Sequence, residues 1–414
     1  MMLRSRKNVS NIDGDQKNIG PLKRHGAALK DEPKRKRGGL SDLSNVMSST
    51  LCIDSSKKLV EKPLSKPILK CRNTNLSCIN ENEDKKVGLE KPATNQRSCL
   101  IDHLPATKEE ELSEDKIETI EVDPCPEYDY DAGNADDPFL IPEYAFDIFR
   151  YYKHRENAFI IRDYAPRQQR FTKEMRAVLA DWMVEMQESF ELNHETLYTA
   201  LKIMDHYLDK SKTQVLKQDL QLMGSTAIFI ASKFEERCPP PIEDFLYVCD
   251  DAFTHEQMLS MERRMLRTIE YDIGFPLAYR FLRRYSKVLQ LDMATLTLAR
   301  YYLETCALFY EFIGSSDSLL ACACLLLALR VKKLNDWNPV LTKYSHYRLE
   351  DVEPLMWAVN HAMIMRPHIY PRLVVSFNKY SSDVFFEVAK FPFLPDKLKS
   401  SDPVGPPAAY SFKN

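Results

Sequence analysis

Two stretches of this chain, about a hundred residues apart, are apolar on nearly every side and studded with small side chains. The first, Leu220 to Phe234, carries Gly224, Ser225, Ala227, Ala231 and Ser232; the second, Leu319 to Leu329, carries Ala321, Cys322, Ala323, Cys324 and Ala328. A helix that is apolar all round must be enclosed, and small residues let its neighbours approach closely. Each stretch is therefore the expected centre of a helical bundle, and their recurrence predicts two similar bundles in tandem.

The flanking sequence supplies the surrounding helices. Thr172 can cap a helix in which Met175, Val178, Leu179, Trp182, Met183 and Met186 form one apolar stripe. Asn193 can open a second helix through Leu197, Leu201, Met204 and Leu208. After the first central helix, Pro239, Pro240 and Pro241 force a break. A short helix through Phe245 and Val248 follows, and Thr254 with Gln257 forms a capping box that opens a fifth, through Met258, Met261, Met265 and Ile269. In the second half an amphipathic helix is expected from Met293 to Phe312, Asp317 opens the second central helix, and a final helix spans Val352 to Met363 beyond Pro339. Almost nothing alternates as a strand would, so the fold class is all-α, two five-helix bundles.

All Phe, Tyr and Trp residues lie at or after Tyr128. The preceding segment lacks the large side chains that offset the entropy of ordering and is expected to be disordered. Charge segregates within it: Lys23 to Arg37 is basic, whereas Glu109 to Asp137 holds thirteen acids. A formal net charge of −3 argues against nucleic acid as the default partner. The ten cysteines show no CxxC or Cys/His spacing and read as reduced, which excludes a disulfide framework or zinc finger and suits a nuclear or cytoplasmic protein. The apolar run from Leu319 is far shorter than the ~20 residues of a membrane span, and the start of the chain carries no apolar signal region. There is no phosphate-cradling glycine loop, HExxH or nucleophile elbow, so no catalysis, metal or cofactor is expected.

The strings MRAVLADWMVE (Met175 to Glu185) and ASKFEE (Ala231 to Glu236), with the spacing of Leu201 to Leu208, resemble a cyclin box. The resemblance covers about 138 to 380. ELNHETLY (Glu191 to Tyr198) and FNKYSS (Phe377 to Ser382) resemble mitotic cyclins of the B class, most of all the animal B3 type. It implies a regulatory tail over 1–137, an N-terminal cyclin box with its preceding helix over 138–274, a C-terminal box over 275–380 and an extension over 381–414. It also implies a non-catalytic subunit that activates a cyclin-dependent kinase.

The resemblance places a kinase-binding surface at Lys233, Phe234, Glu236, Glu262, Leu266, Tyr271 and Ile273, joined by Ile148 and Tyr151 from the helix before the box. It implies a buried structural ion pair between Arg176 and Asp205. It further implies a shallow groove for Arg-x-Leu motifs of substrates or inhibitors, formed by Met175, Val178, Leu179, Trp182, Glu185 and Gln221. Without the resemblance, the stripe reads as core and these charges as solvated.

In the tail, Arg37, Leu40, Leu43 and Asn45 resemble a destruction box read by the anaphase-promoting ubiquitin ligase; Arg97 to Leu100 shows how readily its shorter form arises by chance. Lys23 and Arg24, followed by Lys34, Arg35, Lys36 and Arg37, have the spacing of a bipartite nuclear-import signal, the alternative being a solubilising charge run. Nuclear localisation is expected, with no nucleic-acid or membrane partner. The rival reading is a transcription-associated cyclin-fold protein, against which stand the missing zinc ribbon and the acidic stretch ahead of the box.

Overall fold

The structure, a computed structural model, describes residues 123–137 and 139–412. The destruction box, the import signal and the disorder expected of the earlier tail lie outside the described residues. Among those residues there are helices and turns but no strand.

A leading helix α1 (Pro142–Arg155) precedes the first bundle: α2 (Lys173–Ser189), α3 (His194–Lys210), α4 (Leu220–Glu235), α5 (Ile242–Val248) and α6 (His255–Thr268). The second bundle comprises α7 (Ala278–Val288), α8 (Met293–Cys306), α9 (Asp317–Val331), α10 (Pro339–Ser345) and α11 (Leu349–Ile369), followed by α12 (Val375–Tyr380). The central helices are the two expected ones. α4 packs against α2, α3 and α6, and α9 against α7, α8 and α11.

Local signals explain most helix ends. The Thr172 hydroxyl accepts the Met175 N–H at 3.2 Å, and Thr254 with Gln257 forms the reciprocal capping box that opens α6. Two expectations change. The helix expected to reach Phe312 stops at Cys306, where the freed Ala307 carbonyl accepts a hydrogen bond from Arg176 Nη1 at 2.7 Å. The Val352 to Met363 helix extends over Leu349–Ile369, carrying Pro354 and Pro367 within it. Pro354 is its sixth residue, past the first turn, so the proline removes the bond that the Glu350 carbonyl would otherwise accept.

A third difference concerns the acidic segment. Its end, Asp123–Asp137, is not free but lies on the second bundle, with Tyr130 packed against Val288 and Tyr344. Tyr128 and Tyr130 are the first Phe, Tyr or Trp residues of the sequence, and both pack against the second bundle.

The two bundles share a continuous core. Tyr198 stacks on Tyr279 at 5.6 Å, and His206 on Phe275 at 4.9 Å. The short α12 contacts both α2 and α8. Its Lys379 pairs with Glu304 at 2.9 Å and donates to Gln187 Oε1 at 2.8 Å, both side chains of the pair being at most 1% exposed. Its first residue, Val375, donates its N–H to Asp181 on α2. The six described cysteines are unbridged.

Candidate functional site

The end of α4 and the outer side of α6 form one face of the first bundle. Lys233 on α4 and Glu262 on α6 meet there as an ion pair, with Lys233 Nζ 4.0 Å from the centre of the Phe229 ring. Phe234 is 51% exposed beside it, and Tyr271 is 62% exposed just past the end of α6. These exposed rings beside the ion pair make this face a candidate interaction surface. Glu270 and Tyr271 both adopt left-handed backbone angles, φ 59° and 61°. The Tyr271 N–H closes the helix by bonding to the Leu266 carbonyl at 2.8 Å, which turns the chain sharply. Holding a tyrosine in this region costs about 1 kcal/mol or more. Leu266 and Ile273 are half-buried beneath, packed on the core.

α1 is fastened to the same face. Arg155 grips Asp272 with both carboxylate oxygens, at 2.7 and 2.9 Å, and reaches the Gly274 carbonyl at 3.1 Å. Along α1, Tyr151 is exposed and Ile148 half-buried. Tyr247 on α5 is 71% exposed, and the sequence reading, which followed that short helix through Phe245 and Val248, did not single it out.

Glu236, which the resemblance places on the kinase-binding surface, is engaged within the chain. Its carboxylate takes the Asn193 N–H and side-chain amide, each at 2.7 Å, and the Thr196 hydroxyl at 2.5 Å. It therefore caps α3, whose N-cap residue Asn193 makes no capping bond of its own. Its neighbour Glu235 is engaged as well, by the Thr199 hydroxyl and Arg280.

Arg176 and Asp205 meet as expected of them. Two parallel bonds, at 2.8 and 2.7 Å, join α2 to α3, and the two side chains are 2% and 4% exposed. The Tyr164 hydroxyl adds a bond to Asp205 at 2.8 Å. With its third bond to the Ala307 carbonyl, Arg176 also ties the first bundle to the second.

The groove residues divide. Leu179 and Trp182 are buried core, because both close over Gly224, where a Cβ would lie 2.7 Å from Leu179 Cδ1 and 3.0 Å from Trp182 Cζ3. Met175, Val178 and Gln221 are half-buried along the rim, and Glu185 is exposed. Trp182 Nε1 and Gln221 Nε2 are both buried donors with no hydrogen-bond partner. Such an unmet donor costs about 1 to 3 kcal/mol until something accepts from it. No group of metal-ligating side chains occurs among the described residues.

Residues 147–274 match the family described as Cyclin, N-terminal domain, and residues 276–394 match Cyclin, C-terminal domain, which runs past the expected boundary at Tyr380. The chain is 42% identical to the G2/mitotic-specific cyclin-B3 of Caenorhabditis elegans, over 84% of this chain and 87% of that protein. It is 39% identical to the G2/mitotic-specific cyclin-B3 of Gallus gallus, over 92% of this chain and 94% of that protein. With that of Drosophila melanogaster it shares 45% identity, over 74% of this chain and 53% of that protein. Two cyclin boxes in tandem and identity along most of its length to several such proteins make this chain a member of the cyclin family, of the mitotic B3 type.

Proposed function

We propose that the chain is a non-catalytic regulatory subunit that binds and activates a cyclin-dependent serine/threonine protein kinase in mitotic or meiotic progression. The observation that carries this reading is the Lys233 and Glu262 pair, set among exposed Phe234 and Tyr271 on a stiff bundle. A protein kinase is active only when its mobile helix brings a glutamate to the catalytic lysine and its activation loop is ordered. A partner lacking catalytic groups can favour that state by binding it more tightly than the inactive one. A rigid surface discriminates between the two shapes, whereas a soft one adapts to both.

The test is the double substitution Lys233→Ala with Glu262→Ala. The expected result is an unchanged melting temperature and a loss of kinase stimulation in a histone-phosphorylation assay; undiminished stimulation refutes the reading.

In the same proposal, the rim of Met175, Val178, Glu185 and Gln221 docks Arg-x-Leu segments. An exposed carboxylate suits the arginine, and the unmet Trp182 and Gln221 donors suit backbone carbonyls of an extended peptide. The tail motifs extend it to nuclear import through Lys23, Arg24 and the Lys34 to Arg37 cluster, and to destruction through Arg37, Leu40, Leu43 and Asn45.

A further inference from the structure

The segment ahead of α1 is fastened to the second bundle by a joint that kinase binding as described above does not use. Asp131 engages Arg284 on α7 through both carboxylate oxygens, and the arginine is 7% exposed. The guanidinium lies 5.1 Å from the Tyr344 ring of α10, 5.4 Å from Phe149 of α1 and 5.7 Å from Tyr130 of the segment itself. Three elements thus meet on one buried cation. The segment is held just ahead of this point, by Tyr128 donating to the Val288 carbonyl at 2.7 Å, by Lys343 donating to the Tyr128 carbonyl at 2.9 Å and by the Tyr130 N–H donating to the Tyr344 hydroxyl at 2.8 Å.

α1 is secured unevenly. Its C-terminal half has its own ties, Lys153 to the Ser345 carbonyl at 2.7 Å and Arg155 to Asp272. Its middle rests on Phe149, which stands edge-on to Phe281 at 5.9 Å and faces Arg284, while ahead of it Phe146 stands edge-on to His346 at 5.8 Å. Ile148 adjoins Phe149. Without the Asp131 carboxylate, Arg284 would be a buried cation among rings, its Nε already unpartnered, and would have to swing toward water. The backing of Phe149 would go with it.

We propose that Asp123–Asp137 is a strap that positions α1, and that Asp131 and Arg284 are positioning residues for kinase association. The strap acts through the helix that carries Ile148 and Tyr151, so it rests on the kinase-binding reading above. Because it sets the orientation of a binding element and adds nothing to the kinase's own chemistry, it governs how much chain is needed for activation and not the activity reached at saturation.

The test uses the full chain, its Asp131→Asn variant and the double variant Asp131→Leu with Arg284→Met, in which the buried charges are replaced by apolar groups of similar volume. Hydrogen exchange is followed along the chain, and a cyclin-dependent kinase is titrated with each protein. For Asp131→Asn we expect exchange over residues 142–150 and the half-activating concentration each to rise about tenfold, a cost of roughly 1.4 kcal/mol. Exchange in α2 to α6 and the activity at saturation should stay unchanged, and the double variant should return both readouts to within about twofold of the parent. An unchanged half-activating concentration in Asp131→Asn overturns the proposal. So does a loss of activity at saturation, or exchange that rises equally through α2 to α6. A parent chain that activates no such kinase defeats the functional reading itself, an outcome distinct from a parent that activates and a variant that matches it.

Discussion

Removing the Arg176 guanidinium would strand the Asp205 carboxylate in the core with the Tyr164 hydroxyl as its remaining bond. A buried pair gains little over apolar residues when intact but costs about 3 to 5 kcal/mol when broken. Arg176→Ala should therefore lower the unfolding free energy by about that amount, read from urea denaturation followed by circular dichroism. Asp181 makes a second prediction, on pH. Burial pushes its carboxyl up to about 7, with the bond from the Val375 N–H pulling the other way, against 3.8 for the group in water. A folded-state value above the unfolded one means that Asp181 favours folding below about pH 4 and loses this contribution as the pH rises toward 7. His194 and His206, which burial pushes down to about 3, work in the opposite sense, their contribution being lost as the pH falls below about 6.5. The comparison must therefore be between Asp181→Asn and its parent at each pH. The variant should gain on the parent, on the order of 2 kcal/mol, between pH 4 and pH 8 in thermal melts; a difference that stays level across that range contradicts the assignment.

Helix ends decide how the binding face is presented. Because Glu236 caps α3, Glu236→Ala should cost about 1 kcal/mol and quicken exchange in the first turn of α3, with any loss of kinase affinity following from that fraying. The helices themselves were legible in the sequence: the apolar surroundings of Gly224 and Cys322 announced the central helices, and Thr254 with Gln257 announced a start that depends on near neighbours. Features set by distant partners were not legible. Neither the stop at Cys306, which Arg176 completes from another bundle, nor the capture of Glu236 by Asn193 and Thr196 has a local signature. The same holds for the site. Lys233 and Phe234 stand in the cyclin-like string ASKFEE, and Glu262 and Tyr271 were proposed from the wider resemblance, while Tyr247, which belongs to no such string, was not singled out.

At the scale of the molecule, the shared core of the two bundles makes the proposed binding face and groove parts of one body. If that body docks peptides along its rim, Gln221→Ala should weaken phosphorylation of substrates carrying Arg-x-Leu severalfold while leaving a minimal peptide substrate unaffected, as steady-state kinetics would show. Equal losses on both substrates would count against the groove.

Lys379 lies 192 residues beyond Gln187 in the chain, yet it neutralises Glu304 and reaches that glutamine on the first helix of the first bundle. During synthesis the ribosome will have released α2 long before α12 exists, so the first bundle must wait with a polar seam open until α12 emerges. A premature stop ahead of Val375 would leave that seam permanently unfilled.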